Sequence, residues 1–122
     1  MSPDDLREWY ADYLAACNRH DLPAIRALLA PDVRRAHRPS GADAWIRDLD
    51  DLFHAFPDFQ WKRVTVVVED DRLAAHLRAS GTHRATGRRV NVAEFAIYRI
   101  ESGRIAEFAG TADTEALTAQ LR

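Results

Sequence analysis

The chain has one cysteine, Cys17, which excludes an internal disulfide framework and a cysteine-based zinc site. No apolar run approaches the ~18 residues that a membrane-spanning helix needs, and the start carries no signal-peptide pattern. The expectation is a cytoplasmic protein with no membrane partner. An excess of either charge is also missing. The 17 Lys and Arg are scattered among 19 Asp and Glu, so no polyanion-binding surface is expected and no nucleic-acid partner. The 5 histidines lack any short-range metal-ligand spacing, so no metal site is expected. Repeats and low-complexity segments are absent. The 122 residues suffice for one domain around one core.

What is present divides into a helical half and an alternating half. Ser2-Pro3-Asp4-Asp5 opens a helix with a hydroxyl cap, an early proline and acids at the favourable end of the dipole. Leu6, Trp9, Tyr10, Tyr13, Leu14 and Cys17 follow at helical spacing, placing Cys17 among buried groups. Asp21 caps a second helix with Pro23 in its first turn and Ile25, Leu28 and Leu29 buried, and Ala30-Pro31-Asp32 stops it. Arg34 to Gly41 is polar and irregular, with a small edge strand over Val33 to His37 as an option. A third helix runs from Ala42 to Phe56, its apolar face including Trp45, Phe53 and Phe56, and Pro57-Asp58 ends it.

The period then changes to two. Trp61 to Glu69 and Arg72 to Thr82 read as strands joined at Asp70-Asp71. Val64, Val66 and Val68 share a core face with Leu73, Ala75 and Leu77, and Arg63, Thr65, His76 and Arg78 share the other. Arg88 to Asp113 reads as a hairpin about Ser102-Gly103. Counting from a two-residue loop sets Tyr98 opposite Glu107, Ala96 opposite Ala109, Phe95 opposite Gly110 and Glu94 opposite Thr111. A last turn or two runs from Thr114 to Leu121. The expected fold is α+β: three N-terminal helices packed on a curved antiparallel sheet, and a short C-terminal helix.

Asp113 has two readings. In an unbroken ladder it shares a side with Glu94, Tyr98, Glu107 and Thr111, away from the more apolar side of Phe95, Ile97 and Phe108, and it caps the last helix. A β-bulge at Gly110 would instead turn it inward among Phe95, Ile97 and Phe108, where desolvation raises a carboxyl pKa toward the range useful for proton transfer. The inward placement is the expectation. In the unbroken case Glu94 and Asp113 form a carboxylate pair on one face, able to share a proton if enclosed.

Six segments in order resemble the SnoaL-like polyketide cyclases of the nuclear-transport-factor-2-like superfamily. They are Asn18-Arg19-His20-Asp21, Ala30-Pro31-Asp32-Val33, Ala55-Phe56-Pro57-Asp58, Gly81-Thr82-His83, Thr86-Gly87-Arg88 and Gly103-Arg104-Ile105-Ala106-Glu107. The resemblance spans about residues 10 to 115 and implies a cone-shaped barrel with a ligand cavity, commonly dimerising through the outer sheet face. It also implies an acid/base Asp near the end of the last strand, which falls on Asp113, and a histidine after Pro-Asp-Val, which falls on His37 at the cavity mouth. The family's usual His-Trp after Ile-x-Glu is Phe108-Ala109 here.

The expected chemistry is cofactor-independent. Asp113 takes a proton beside a carbonyl of a small hydrophobic substrate, Asn91 or His83 holds the oxygen, and the carbanion closes a ring. Epoxide opening by Asp113 is a close variant, with the polyketide nature of the substrate implied by the resemblance alone. Tyr10, Tyr13, Trp45 and Phe56 are candidate cavity wall, with His37 at the mouth and Glu94, Phe95, Ile97 and Phe108 around the acid. The alternative is a non-catalytic module that binds an apolar ligand or pairs with a second copy through Arg63, Thr65, His76 and Arg78.

Overall fold

A computed structural model describes all residues 1–122. In order, the elements are α1 (Pro3–Asn18), α2 (Leu22–Ala27), β1 (Leu29–Arg35), α3 (Ala42–Ala55), β2 (Gln60–Glu69), β3 (Arg72–Thr82), β4 (Arg89–Glu101), β5 (Arg104–Ala112) and α4 (Thr114–Leu121). One five-stranded sheet runs β1-β5-β4-β3-β2, with β1 parallel to β5 and every other pair antiparallel. No helix is long and apolar enough to cross a membrane.

Local chemistry accounts for the helix ends. The backbone N–H of Asp5 donates to Ser2 Oγ at 3.0 Å, and that of Ser2 donates to the Asp5 carboxylate at 3.1 Å, a reciprocal capping box. The Asp21 carboxylate accepts from the backbone of Ala24 and opens α2. After α1, His20 takes a left-handed φ of 56° and its ring meets the Phe59 carbonyl at 2.7 Å. The Asn18 side chain donates to the Trp61 carbonyl at 3.0 Å and accepts from the Trp61 N–H at 2.8 Å, copying one rung of a sheet. The Asn-Arg-His-Asp segment is thus a clasp between the end of α1 and the start of β2.

The edge strand lies earlier than expected, over Leu29–Arg35, and takes residues assigned to the end of the second helix and its stop. Burial alternates there, with Leu29, Val33 and Arg35 inward, and it covers an edge of β5 that would otherwise be open. Pro31 is tolerated because β1 is itself an edge.

Two bulges correct the counted registers. In the β4–β5 hairpin Ser102 and Gly103 both have positive φ, the turn that suits a twisted two-residue loop. Ile100 pairs with Ile105, but Arg99 pairs with Glu107, so Ala106 is an extra residue. Beyond it Tyr98 faces Phe108, Ala96 faces Gly110, Phe95 faces Thr111 and Glu94 faces Ala112. In β2, Val64 is extra between the Arg63–Leu77 and Thr65–His76 pairs and is exposed rather than in the core. Arg63 consequently joins the side of Leu77.

The faces of β4 are reversed from the expectation. Leu73, Ala75 and Leu77 pair with Tyr98, Ala96 and Glu94, so the apolar face of β3 draws that set inward. Phe95 and Ile97 face outward and are 53% and 51% exposed. The core between sheet and helices includes the fully buried Tyr10, Ile25, Leu73, Leu77 and Ile105. Each such aliphatic side chain contributes roughly 1.5–3 kcal/mol from burial.

Candidate active site

Curvature of the sheet over α1, α3 and the start of α4 leaves a cavity of about 450 Å³. Its wall is largely aromatic. Trp45 packs on Phe108 with centroids 4.8 Å apart, Phe108 on Tyr98 at 5.2 Å, and Tyr13 edges Tyr98 at 5.8 Å. A larger hollow of about 550 Å³ lies on the outer sheet face beside Val67, His76, Phe95 and Ile97. That groove is open and contains no acid, so it is the poorer place for proton chemistry despite its size.

Two carboxylates line the inner cavity, and their surroundings separate their roles. Asp48 accepts from Arg35 Nη1 at 2.7 Å and is a structural counterion. Glu94 has no cation beside it. Desolvation among the apolar wall pushes its carboxyl above the ordinary value, and the Trp61 indole N–H partly offsets this. No polar side-chain atom is sealed away without a partner, and Glu94, held on the inner face, is one of the residues lining the cavity. Burial also holds the Tyr13 and Tyr98 hydroxyls well above the usual range, so both stay protonated donors at neutral pH. The Cys17 thiol, beside Tyr13, is pushed up to about 12 by burial and is not a nucleophile at neutral pH.

Of the expected site residues, Tyr13, Trp45, Phe56, Glu94 and Phe108 come together around this cavity. Tyr10 lies behind the wall, fully buried, with its hydroxyl 3.3 Å from that of Tyr98. The remainder are elsewhere. Asp113 is exposed, and its carboxylate accepts from the backbone of Ala116 at 3.0 Å as the N-cap of α4. The bulge expected at Gly110 occurs at Ala106 instead and does move Asp113 to the side of Phe95 and Ile97, but that side is the outer face, so Asp113 forms no enclosed pair with Glu94. Phe95 and Ile97 line the outer groove, as does His37, which has a φ of 60°. His83 closes a surface turn through Thr86 Oγ1 at 2.9 Å. Asn91 faces outward and accepts from Arg78 Nε at 3.0 Å.

Sequence reasoning missed Trp61, Tyr98, Arg35 and Asp48 as cavity residues. For Tyr98 the signal was available, since it follows Glu94 by four positions along a strand whose neighbour's core face was already assigned. Nothing in the sequence marked Arg35.

Gly110 has a packing role. A Cβ there would meet the ring of Phe108, which lies across the glycine. Gly110→Ala should displace that ring from Trp45 into the cavity and destabilise the fold by about 1–3 kcal/mol. Urea unfolding measures this, and an unchanged midpoint would refute the contact.

The raised Glu94 pKa also carries a stability consequence. The folded state retains the Glu94 proton to higher pH than the unfolded chain, so its contribution is complete below the ordinary value of 4.5 and is lost as pH rises through the folded pKa. Glu94→Gln, neutral throughout, should match the wild-type melting temperature below that value and exceed it at pH about 8. A difference that does not change with pH would contradict the desolvation.

An α+β cone closed around one aromatic cavity is the nuclear-transport-factor-2-like architecture. The sequence profile of the SnoaL-like polyketide cyclases matches residues 5–121, and the chain belongs to that family. Among solved structures, a SnoaL-like polyketide cyclase from Agrobacterium tumefaciens is 26% identical over 100% of both chains, with a TM-score of 0.87. IdmH from Streptomyces antibioticus, a suggested polyketide cyclase, is 27% identical over 99% of both, with a TM-score of 0.84. AclR from Streptomyces galilaeus, a suggested hydroxylase, has a TM-score of 0.89 at 23% identity over 98% of this chain and 97% of its own. At that identity it speaks for the fold alone. No curated protein matches the chain.

Proposed function

We propose that the chain is a cofactor-independent cyclase or isomerase that moves protons on a hydrophobic, polyketide-like carbonyl compound, with Glu94 as acid/base. The observation supporting this most is one desolvated carboxyl, with no cation beside it, on the inner sheet face of an aromatic cavity. Its raised pKa strengthens the carboxylate as a base and lets the same group return the proton. Glu94 removes a proton from a carbon beside a carbonyl. The electron pair of that C–H bond passes to the carbonyl oxygen as an enolate, which the Tyr13 hydroxyl is suited to hydrogen-bond. The enolate carbon then attacks a second carbonyl of the same molecule, one C–C bond forms, and the new alkoxide takes the proton from Glu94. No atom is gained or lost. The aromatic wall holds the flexible chain folded for that attack.

The test is exchange of the α-protons of 2-tetralone, a flat ketone with acidic C–H groups, in deuterium oxide. The wild type should accelerate exchange and Glu94→Gln should not. Equal acceleration by both would rule Glu94 out, and no acceleration by the wild type would leave a binding module as the reading.

The outer face supports a second copy of the chain as partner. Val67, Phe95 and Ile97 are more than half exposed on one side of the sheet. His76 stacks on Phe95 at 4.6 Å, and the patch ends in an ion-paired rim of Arg34, Arg72, Arg99 and Glu107. An apolar centre with a charged rim is the composition of a protein interface.

A further inference from the structure

Arg35 is an unusual wall residue. Its side chain is only 4% exposed, yet it carries a full charge and lines the cavity at the end away from Glu94. Arg35 pairs with Phe108, and Phe108 with Tyr98, four residues along β4 from Glu94. Two strand spacings and four residue rises put the backbones of Arg35 and Glu94 roughly 16 Å apart. After both side chains, a fused two- or three-ring skeleton would fill the space between.

The guanidinium is held but not used up. Nε and Nη2 donate to the Pro39 carbonyl at 3.1 and 2.8 Å, and Nη1 donates to Asp48 at 2.7 Å. Of its five N–H groups, two remain. Its plane also lies over the Trp45 ring, with the central carbon 5.6 Å from the centroid. Arg38 lines the same end, is largely exposed, and has Asp48 at 3.8 Å as its nearest acid. Two cations against one carboxylate leave one positive charge uncompensated at this mouth.

We propose that the Arg35–Arg38 end of the cavity receives a carboxylate of the substrate, setting its carbon skeleton between Trp45 and Glu94. This rests on the cavity being the substrate chamber. One surplus charge matches a monoanion better than a phosphate, and a planar guanidinium with two free N–H groups matches a carboxylate. Arg35 is the fixed donor and Arg38 the mobile one. Asp48 aims Arg35 and competes for it.

The probes are anthraquinone-2-carboxylate and the neutral anthraquinone-2-carboxamide, with binding read from quenching of Trp45 and Trp61. The wild type should bind the carboxylate about tenfold more tightly than the amide. Arg38→Gln, which leaves Arg35 and its loop contacts in place, should bring the ratio close to one. Asp48→Asn should raise it, because the competing charge is gone while the side-chain oxygen still accepts from Arg35. Equal affinities in the wild type would overturn the proposal, as would a preference unchanged in Arg38→Gln. If the preference is absent while Glu94→Gln abolishes 2-tetralone exchange, the carboxylate site alone is wrong. If the preference is present while exchange is insensitive to Glu94, the acid/base reading alone is wrong. Failure of both probes to bind would remove the chamber and this proposal with it.

Discussion

Glu94→Gln should turn over substrate about 10²- to 10⁴-fold more slowly than the wild type, the usual contribution of a positioned general acid–base group. The replacement is nearly isosteric, so cavity shape and aromatic contacts persist and KM should change little. That split separates a proton-transfer role from a packing role, because a packing defect would raise KM and lower the melting temperature. Here the melting temperature at neutral pH should rise, since the variant no longer buries an ionisable group. Loss of rate with gain of stability is the signature of an acid retained for chemistry. Glu94→Asp offers a second check: it keeps the acid but withdraws it by one methylene, so partial activity is expected. Full rate in Glu94→Gln would end the assignment.

Phe95→Asp with Ile97→Asp should abolish the proposed pairing of two chains without loss of fold. Both side chains are already exposed in the single chain, so the substitutions leave the core intact. In a twofold dimer the patch meets itself, and two substitutions remove four apolar side chains. At roughly 1.5 kcal/mol or more for each, the loss is about 6 kcal/mol, enough to raise the dimer Kd more than ten-thousandfold. Sedimentation velocity at micromolar concentration measures it, with circular dichroism as the control for folding. A wild type that sediments as a monomer would dispose of the interface.

Much of the fold was legible because its signals are local. Ser2, Asp21, Pro57 and the Ser102-Gly103 turn each fix one boundary by hydrogen-bonding or backbone preference, and the structure places elements at all of them. The site was legible only in part, because face assignment is not local. Phe95 and Ile97 are more apolar than Glu94 and Ala96, so hydrophobicity read along β4 alone selects the wrong side. Pairing with β3 reverses that choice, since Leu73 and Leu77 must cover the core and Tyr98 and Glu94 are their partners. A face bearing Phe and Ile then becomes evidence of association rather than of a core. Asp113 was misplaced for the same reason, since a bulge does carry it to the side of Phe95 and Ile97 but that side is the outer one. A glycine in a strand suggests a bulge, but Gly110 is there to accommodate the ring of Phe108.

The extra residue at Ala106 has a wider implication. Everything from Glu107 onward owes its inside or outside address to that one inserted position. Losing it would exchange the two sides of the final strand without altering any other amino acid. In a scaffold of this kind the identity of the working acid can therefore change hands by insertion or deletion of a single codon. Related chains could carry their acid on different strands while enclosing the same chamber.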